Sequence, residues 1–295
     1  MANALNGVDA VAKRTSPTVR RRRLAKELRQ LRRESGKTRE QVSDFVGCSP
    51  VTITRIESAQ TAGTVPIVAR MLEAYGVTGE RCELLLTLCR EARKRGWWNR
   101  YSDSIPEWFH VYVGLEEEAS EILTYESEAV PGLLQTEDYA RALLLSGLRV
   151  PPVEELDRRI ALRMKRQERQ VSDDAPRTWA VLNEAVLRRQ VGGPSIMGEQ
   201  LRHLVKMSRL NHMNIVVLPY DVGAHPAMDG PCTVLRFPEP FDPDVVYVQY
   251  RRGSIYLEDP LDVEEYVDLF DHLRSRALSP DESRALLLRV AEEMA

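Results

Sequence analysis

The 295 residues leave room for one small and one medium domain, and a hydrophobic content of 43% is that of a folded chain rather than a disordered one. No stretch approaches the roughly 18 uncharged apolar residues of a membrane span, Met1 to Val11 lack the basic start of a secretory signal, and Cys48, Cys82, Cys89 and Cys232 lie too far apart for a zinc site or a disulfide framework. The net charge of −3 divides unevenly, +10 over residues 1–100 and −13 over the rest, so only the head is suited to meet a polyanion.

Residues 1–16 read as a disordered arm. The basic excess lies in Lys13–Arg39, with 12 basic and 2 acidic residues. A first helix is expected over Arg20–Glu34, where Leu24, Leu28 and Leu31 share one face. Ser35-Gly36 ends it. Thr38 opens a second helix, and Gln41 three residues on completes the form of a capping box. Val42, Phe45 and Val46 are its apolar stripe. Gly47 suits a left-handed turn. Ser49 is then the N-cap and Pro50 the first residue of a third helix, with Ile53 and Ile56 pointing inward.

Two short helices around a Gly-containing turn are the spacing of a helix-turn-helix, whose second helix enters the major groove by its N-terminal residues. Those are Pro50, Val51, Thr52, Thr54 and Arg55. Arg55 suits a fork to guanine, Thr52 or Thr54 a base edge or phosphate, and Val51 a thymine methyl. Lys37, Thr38, Arg39, Gln41 and Ser49 complete the candidate DNA contacts. The competing reading is a plain helical bundle without a ligand. Two more helices follow, one with the stripe Val68, Met71, Leu72 and Tyr75 ending at Gly76. The other runs from Gly79 to about Arg95 with Leu84, Leu85 and Leu88. The head is thus a mainly α helix-turn-helix domain of five helices over residues 17–95.

The run Thr38-Arg39-Glu40-Gln41-Val42, then Gly47-Cys48-Ser49-Pro50-Val51-Thr52-Ile53-Thr54-Arg55-Ile56-Glu57, resembles the phage-repressor-like, or XRE-type, helix-turn-helix. In that family a Gln commonly opens the second helix and touches DNA. Arg39 stands there instead, which keeps a phosphate contact but not the usual base contact. The resemblance also implies a structural pair between Arg32 and Glu57 that ties the helices together.

Residues 96–114 read as a linker or hinge. Its Trp97-Trp98 and Tyr101 admit two readings, a stacking platform for bases or an interdomain core. Residues 115–295 read as an α+β domain with a mainly antiparallel sheet, since several strands follow one another closely. Strands are expected at Glu121–Ser127, Thr178–Asn183, Asn214–Pro219, Cys232–Phe237, Val245–Gln249 and Ser254–Glu258. Helices are expected at Glu137–Leu145, Glu154–Arg169, Ser195–Arg209, Asp262–Ala277 and Pro280–Glu293, with Thr136, Ser195 and Ser279 as N-caps.

Chemistry is sparse. There is no Gly-rich phosphate loop, no GxSxG and no HExxH, so no catalytic residue, cofactor or metal is expected. Gly223-Ala224-His225-Pro226, with Asp229 nearby, is the most site-like segment. His225 reads either as a general base or ligand contact, or as a structural residue. Trp98, Tyr101, His225 and Asp229 are the candidate ligand or partner residues of the body. Arg158, Arg159, Arg163, Lys165, Arg166 and Arg169 form a basic island on one helix, either a partner or DNA-backbone surface or a solvated face. Tyr266, Leu269, Phe270, Leu273, Leu286, Leu287 and Val290 offer apolar stripes for a dimer contact or for covering the sheet of their own subunit.

Several blocks carry a second resemblance. They are Tyr125-Glu126 with Val130-Pro131-Gly132-Leu133-Leu134-Gln135-Thr136-Glu137-Asp138-Tyr139-Ala140, Arg163-Met164-Lys165-Arg166-Gln167-Glu168-Arg169, Leu182-Asn183-Glu184-Ala185-Val186-Leu187-Arg188-Arg189, Gly223-Ala224-His225-Pro226, and Tyr256-Leu257-Glu258-Asp259. Together they resemble the actinomycete regulators similar to WhiJ. That resemblance implies an XRE-type head, a C-terminal domain of unknown function and an antitoxin-like regulator whose gene neighbours one for a small acidic partner protein. The expected function is a sequence-specific regulator on a double-stranded DNA operator, bacterial, cytoplasmic and nucleoid-associated. Its body forms a homodimer and receives a partner-protein or small-molecule signal. The alternatives are the antitoxin of a toxin–antitoxin pair and, against the absence of any nucleophile–base motif, an enzyme fused to a DNA-binding domain.

Overall fold

The computed structural model describes residues 16–239 and 242–294, so the expected arm lies, apart from Ser16, outside the described residues. The chain divides into two compact units, one ending at Gly96 and one beginning at Trp97.

The head holds α1 (Pro17–Glu34), α2 (Arg39–Val46), α3 (Pro50–Glu57), α4 (Val65–Ala74) and α5 (Gly79–Ala92). Helix α1 starts three residues earlier than its apolar stripe suggests. Ser16 is its N-cap, with the Oγ accepting from the Thr18 N–H at 3.2 Å, and Pro17 needs no hydrogen-bond acceptor for its nitrogen. Leu24, Leu28 and Leu31 meet Val42, Ile53, Ile56, Val68, Met71 and Leu72 in one core. Each such Leu or Ile contributes about 1.5–3 kcal/mol by leaving water. Two stripes differ from expectation. In α5 the buried face is Leu85, Leu86, Cys89 and Ala92, and Leu84 is 63% exposed. Phe45 of α2 also faces out, where the Arg70 guanidinium lies 4.3 Å from its ring centroid.

The body begins where a linker over residues 96–114 was expected. Trp97–Tyr101 forms a 3-10 turn and Glu107–Glu118 a helix, α6. The turn is anchored because Trp98 buries itself against Val113 and Leu162 of the same unit. There follow β1 (Glu121–Glu126), α7 (Glu137–Leu145), α8 (Val153–Gln167), β2 (Arg177–Asn183), α9 (Glu184–Arg188), α10 (Pro194–Met207) and β3 (Met213–Leu218). The chain ends with β4 (Cys232–Arg236), β5 (Val245–Tyr250), β6 (Gly253–Leu257), α11 (Pro260–Arg276) and α12 (Pro280–Glu293). Thr136 and Ser279 cap α7 and α12 as expected, Ser279 in a capping box with Glu282. Ser195 does not cap α10. That cap is Gly193, at φ 89°, followed by Pro194.

The strands form one sheet in the order β3-β2-β1-β4-β5-β6. It is mixed, not mainly antiparallel. β1 with β2 and β2 with β3 are parallel, whereas the β1–β4, β4–β5 and β5–β6 pairs are antiparallel. The reason lies in the connections. Helices α7 and α8 separate β1 from β2, and α9 and α10 separate β2 from β3, so each strand can start again from the same end. β5 and β6 are joined by a tight turn that reverses direction.

Register assigns the two faces. Thr124 pairs with Ala180 on one side and Thr233 on the other, so these share a face, while Leu123, Tyr125 and Val181 share the opposite one. On the first face, Ala180, Leu182, Ile215 and Val217 lie under α10 and α12. On the second, Tyr125, Val181, Val216, Val234 and Val246 lie under Phe270 and Leu273 of α11. The apolar stripes of α11 and α12 therefore cover the sheet of their own subunit. No helix among the described residues is long and apolar enough to cross a membrane.

Candidate functional site

The turn between α2 and α3 is built by four local devices. Thr38 Oγ1 accepts from the Gln41 N–H at 3.3 Å, and Gln41 Oε1 accepts from the Thr38 N–H at 2.9 Å. Gly47 takes φ 76°, a conformation that costs an L side chain about 1–2 kcal/mol. Ser49 Oγ accepts from the Thr52 N–H at 3.2 Å, and Pro50 fills the first helical position. Ile53 and Ile56 fix the helix to the core, which turns Pro50, Val51, Thr54 and Arg55 outward. Val51 is 58% exposed on this face. Thr54 spends its hydroxyl hydrogen on the Pro50 carbonyl at 3.1 Å, and the Thr52 hydroxyl lies 3.0 Å from Ser49 Oγ. Arg55 forms no ion pair among the described residues, so its fork is available.

Behind this face sits a buried carboxylate. Glu57 is 1% exposed and holds Arg32 by two contacts, Nε at 2.6 Å and Nη2 at 3.1 Å. Arg32 Nη1 also donates to the Lys37 carbonyl at 3.0 Å, and Arg29 Nη2 to the Glu57 carbonyl at 2.8 Å. The hydrogen bond to Glu57 raises the Arg32 pKa further above its ordinary value. The Arg39 Nε donates to the same carboxylate at 2.9 Å. Arg39, read from sequence as a DNA contact, thus belongs to a three-member clamp joining α1, α2 and α3. The attraction of Glu57 draws its guanidinium inward. The Tyr75 hydroxyl is buried beside this cluster, and burial, reinforced by Glu57, pushes its pKa up. Gln41 and Thr38 spend their near groups on capping each other.

The body candidates do not converge. Trp98 is core, and Trp97 packs edge-on against it at 5.8 Å and against Tyr101 at 6.3 Å. That arrangement is a folded cluster rather than an open stacking platform. His225 Nε2 lies 3.5 Å from the Tyr125 hydroxyl, and burial lowers its pKa. Asp229 is exposed and makes no hydrogen bond to His225, so the pair is not a dyad.

What sequence reasoning missed is the inward turn of Arg159, Arg163 and Arg166 on α8 and of Arg169 just beyond it. Arg166 and Glu116 form a buried pair with Nε–Oε1 at 2.7 Å and Nη2–Oε2 at 2.6 Å. Burial works to lower the Arg166 pKa, but Glu116 overrides it and the net direction is up. Arg169 Nη2 donates to the Ala119 carbonyl at 2.8 Å, and Arg159 Nε to the Ser104 carbonyl at 2.8 Å. Arg163 Nη1 donates to Gln135 Oε1. The basic island is therefore divided: Arg159, Arg163, Arg166 and Arg169 turn toward the body, while Arg158 and Lys165 stay on a solvated face. Its signal was in the sequence. Positions 159, 163 and 166 recur at helical spacing, one face interleaved with the apolar one.

Arg163 and Arg166 border a cavity of about 440 Å³ on the first face of the sheet, outside the area that α10 and α12 cover. Its floor includes Ile122, Thr124 and Glu126 of β1 with Thr233 and Tyr247, and its roof is the segment from Ala129 to Gln135. Burial pushes the Glu126 carboxyl up to about 8. Burial, aided by Arg166, pushes the Arg163 guanidinium down to about 10.

A family model described as a helix-turn-helix domain matches residues 23–85, which span the clamp and the exposed face of α3. A second, described as a domain of unknown function, DUF5753, matches residues 109–289, more than half of the chain. The chain belongs to the DUF5753 family. The DUF5753 region takes in the whole sheet, most of α6 and the cavity, and starts within the segment first read as a linker. No curated protein and no solved structure matches the chain.

Proposed function

We propose that the chain is a sequence-specific transcriptional regulator of XRE type, similar to the actinomycete WhiJ-like regulators, that reads operator DNA with α3 and works in the bacterial cytoplasm. The observation that carries this is the outward face of α3, with an exposed Val51 and an Arg55 that forms no ion pair among the described residues, on a basic head. The body acts as a dimerisation and signal-receiving module without turnover of its own. Dimerisation follows from the size of the head, which covers one half-site, so that two linked heads gain by effective concentration. The apolar stripes of α11 and α12 do not supply the contact, because they cover their own sheet.

Genome-wide mapping of bound DNA defines the operator, and a gel shift on that operator tests the reading. Val51→Glu places a carboxylate against the DNA and should abolish specific binding while leaving the fold intact. Lys37→Ala should weaken binding to all sequences and flatten its salt dependence. Operator binding unchanged by Val51→Glu rejects α3 as the reading helix. The antitoxin reading rests on the WhiJ-like resemblance alone. It requires a neighbouring small acidic protein that is toxic by itself and is retained by this chain in a pull-down.

A further inference from the structure

The cavity on the sheet has the size of a small-molecule site, within the roughly 300–1,000 Å³ such sites occupy. We propose that it binds a small organic anion, an apolar or aromatic body carrying one carboxylate or sulfonate group, with the Arg163 guanidinium as the anion's partner. Three observations lead there. The first is the unequal state of the arginines that line it, of which Arg251 is exposed to solvent and Arg163 and Arg166 face inward. Arg166 is neutralised by Glu116 through two hydrogen bonds, whereas no ion pair joins Arg163 to a carboxylate among the described residues. Its partner is a neutral amide oxygen, which leaves guanidinium donors and a half-buried charge for a ligand to meet. Arg163 is half-buried, so a cation without a counter-ion is only partly solvated there, and a ligand anion would supply the missing partner.

The second observation is the wall. Phe109, Tyr112 and Tyr247 line one side, with Leu133 and Leu134 in the roof, so a bare inorganic ion would leave most of the cavity unfilled. Thr124 and Thr233, whose hydroxyls lie 3.1 Å apart on the floor, add neutral polar contacts without opposing an anion. Glu126 is the only carboxylate among the lining residues, and with its pKa raised by burial it holds its proton at neutral pH. The third is rigidity. Gln167 Nε2 donates to the carbonyls of Gly132 at 2.9 Å and Gln135 at 2.8 Å, and Gln200 Nε2 donates to the Leu134 carbonyl at 2.7 Å. The roof is thus tied to α8 and α10 before any ligand arrives, so little ordering is left for binding to supply.

This deepens the regulatory reading by naming the class of its signal, and rests on that reading only for any consequence at DNA. The test uses the full chain and two probes of similar shape, the anionic 1-anilinonaphthalene-8-sulfonate and the neutral N-phenyl-1-naphthylamine, followed by fluorescence. The sulfonate should bind at one saturable site per chain and more tightly than the neutral probe. Arg163→Met should weaken the sulfonate about tenfold or more, the loss expected for a charge-assisted contact, and leave the neutral probe within about twofold. Arg163→Lys should fall between. Ala129→Trp, which fills the cavity from its roof, should exclude both probes, and it decides the matter if Arg163→Met does not fold. Equal affinity for the two probes, sulfonate binding unaffected by Arg163→Met, or both probes retained in Ala129→Trp overturns the proposal. No DNA enters the assay, so failure of the DNA-binding reading and failure of this one are told apart.

Discussion

Replacing Glu57 by Ala isolates the clamp of the head. The carboxylate accepts three charged hydrogen bonds, two from Arg32 and one from Arg39. Arg32 is 13% exposed and would keep only the Lys37 carbonyl, so a charge is left in a largely dry place. Removing one side of such a pair costs about 3–5 kcal/mol, and partial exposure of Arg32 places this case at the lower end, about 3 kcal/mol. The Arg39 side chain is 43% exposed, and its pairing contributes at most about 1 kcal/mol. For a head of this size, about 3 kcal/mol lowers the unfolding temperature by roughly 12–24 °C. Calorimetry on the full chain should show the head transition moving by that amount in Glu57→Ala while the body transition stays. Arg39→Ala should move it by a third as much or less. A Glu57→Ala shift no larger than that of Arg39→Ala would refute the clamp.

Gly47→Ala places a side chain in left-handed backbone with open space around it and should cost the head about 1–2 kcal/mol by chemical denaturation. Gly63→Ala should cost more, because at φ 68° its Cβ would also meet Ile56 Cδ1 at 2.7 Å. In the body, Glu116→Ala strands the buried Arg166 and should cost about 3–5 kcal/mol, whereas Glu116→Leu with Arg166→Met should recover much of it. Glu126 sets a pH dependence. Its folded pKa of about 8 lies above the ordinary 4.5, so the folded body keeps a proton that the unfolded chain has released. Body stability should then fall as pH rises from about 4.5 to 8 and level off above, and Glu126→Gln should remove that slope. An unchanged slope in Glu126→Gln, read from thermal melts across that range, removes Glu126 as its source.

The head was legible because local chemistry alone builds it. Thr38 with Gln41, Gly47, and Ser49-Pro50 mark cap, turn and cap within a dozen residues. The tie of Arg39 to Glu57 was not legible, because Glu57 lies on another helix and no local pattern announces a contact across 18 residues. In the body the β-branched runs revealed all six strands, but the close succession of β4, β5 and β6 was extended to strands that long helical connections separate. Sheet direction follows from those connections, and reading them would have given the parallel half. Trp97-Trp98 looked like a hinge because aromatic residues beside Gly and Asn carry no period, and only Val113 and Leu162 reveal that Trp98 is core. The cavity was hidden for a related reason. Arginine on a helix reads as solvated unless its carboxylate or amide partner is known, and Glu116 and Gln135 are both distant in sequence from α8.

The central claim is that α3 reads bases through Arg55. Affinity of wild type and Arg55→Ala for the mapped operator and for a scrambled duplex, at one fixed salt concentration, measures it directly. The account predicts that the variant loses about 1–3 kcal/mol on the operator, with a far smaller change on the scrambled duplex, so that the specificity ratio collapses. An equal loss on both duplexes would make Arg55 a phosphate contact, and an unchanged ratio would contradict base reading by this residue.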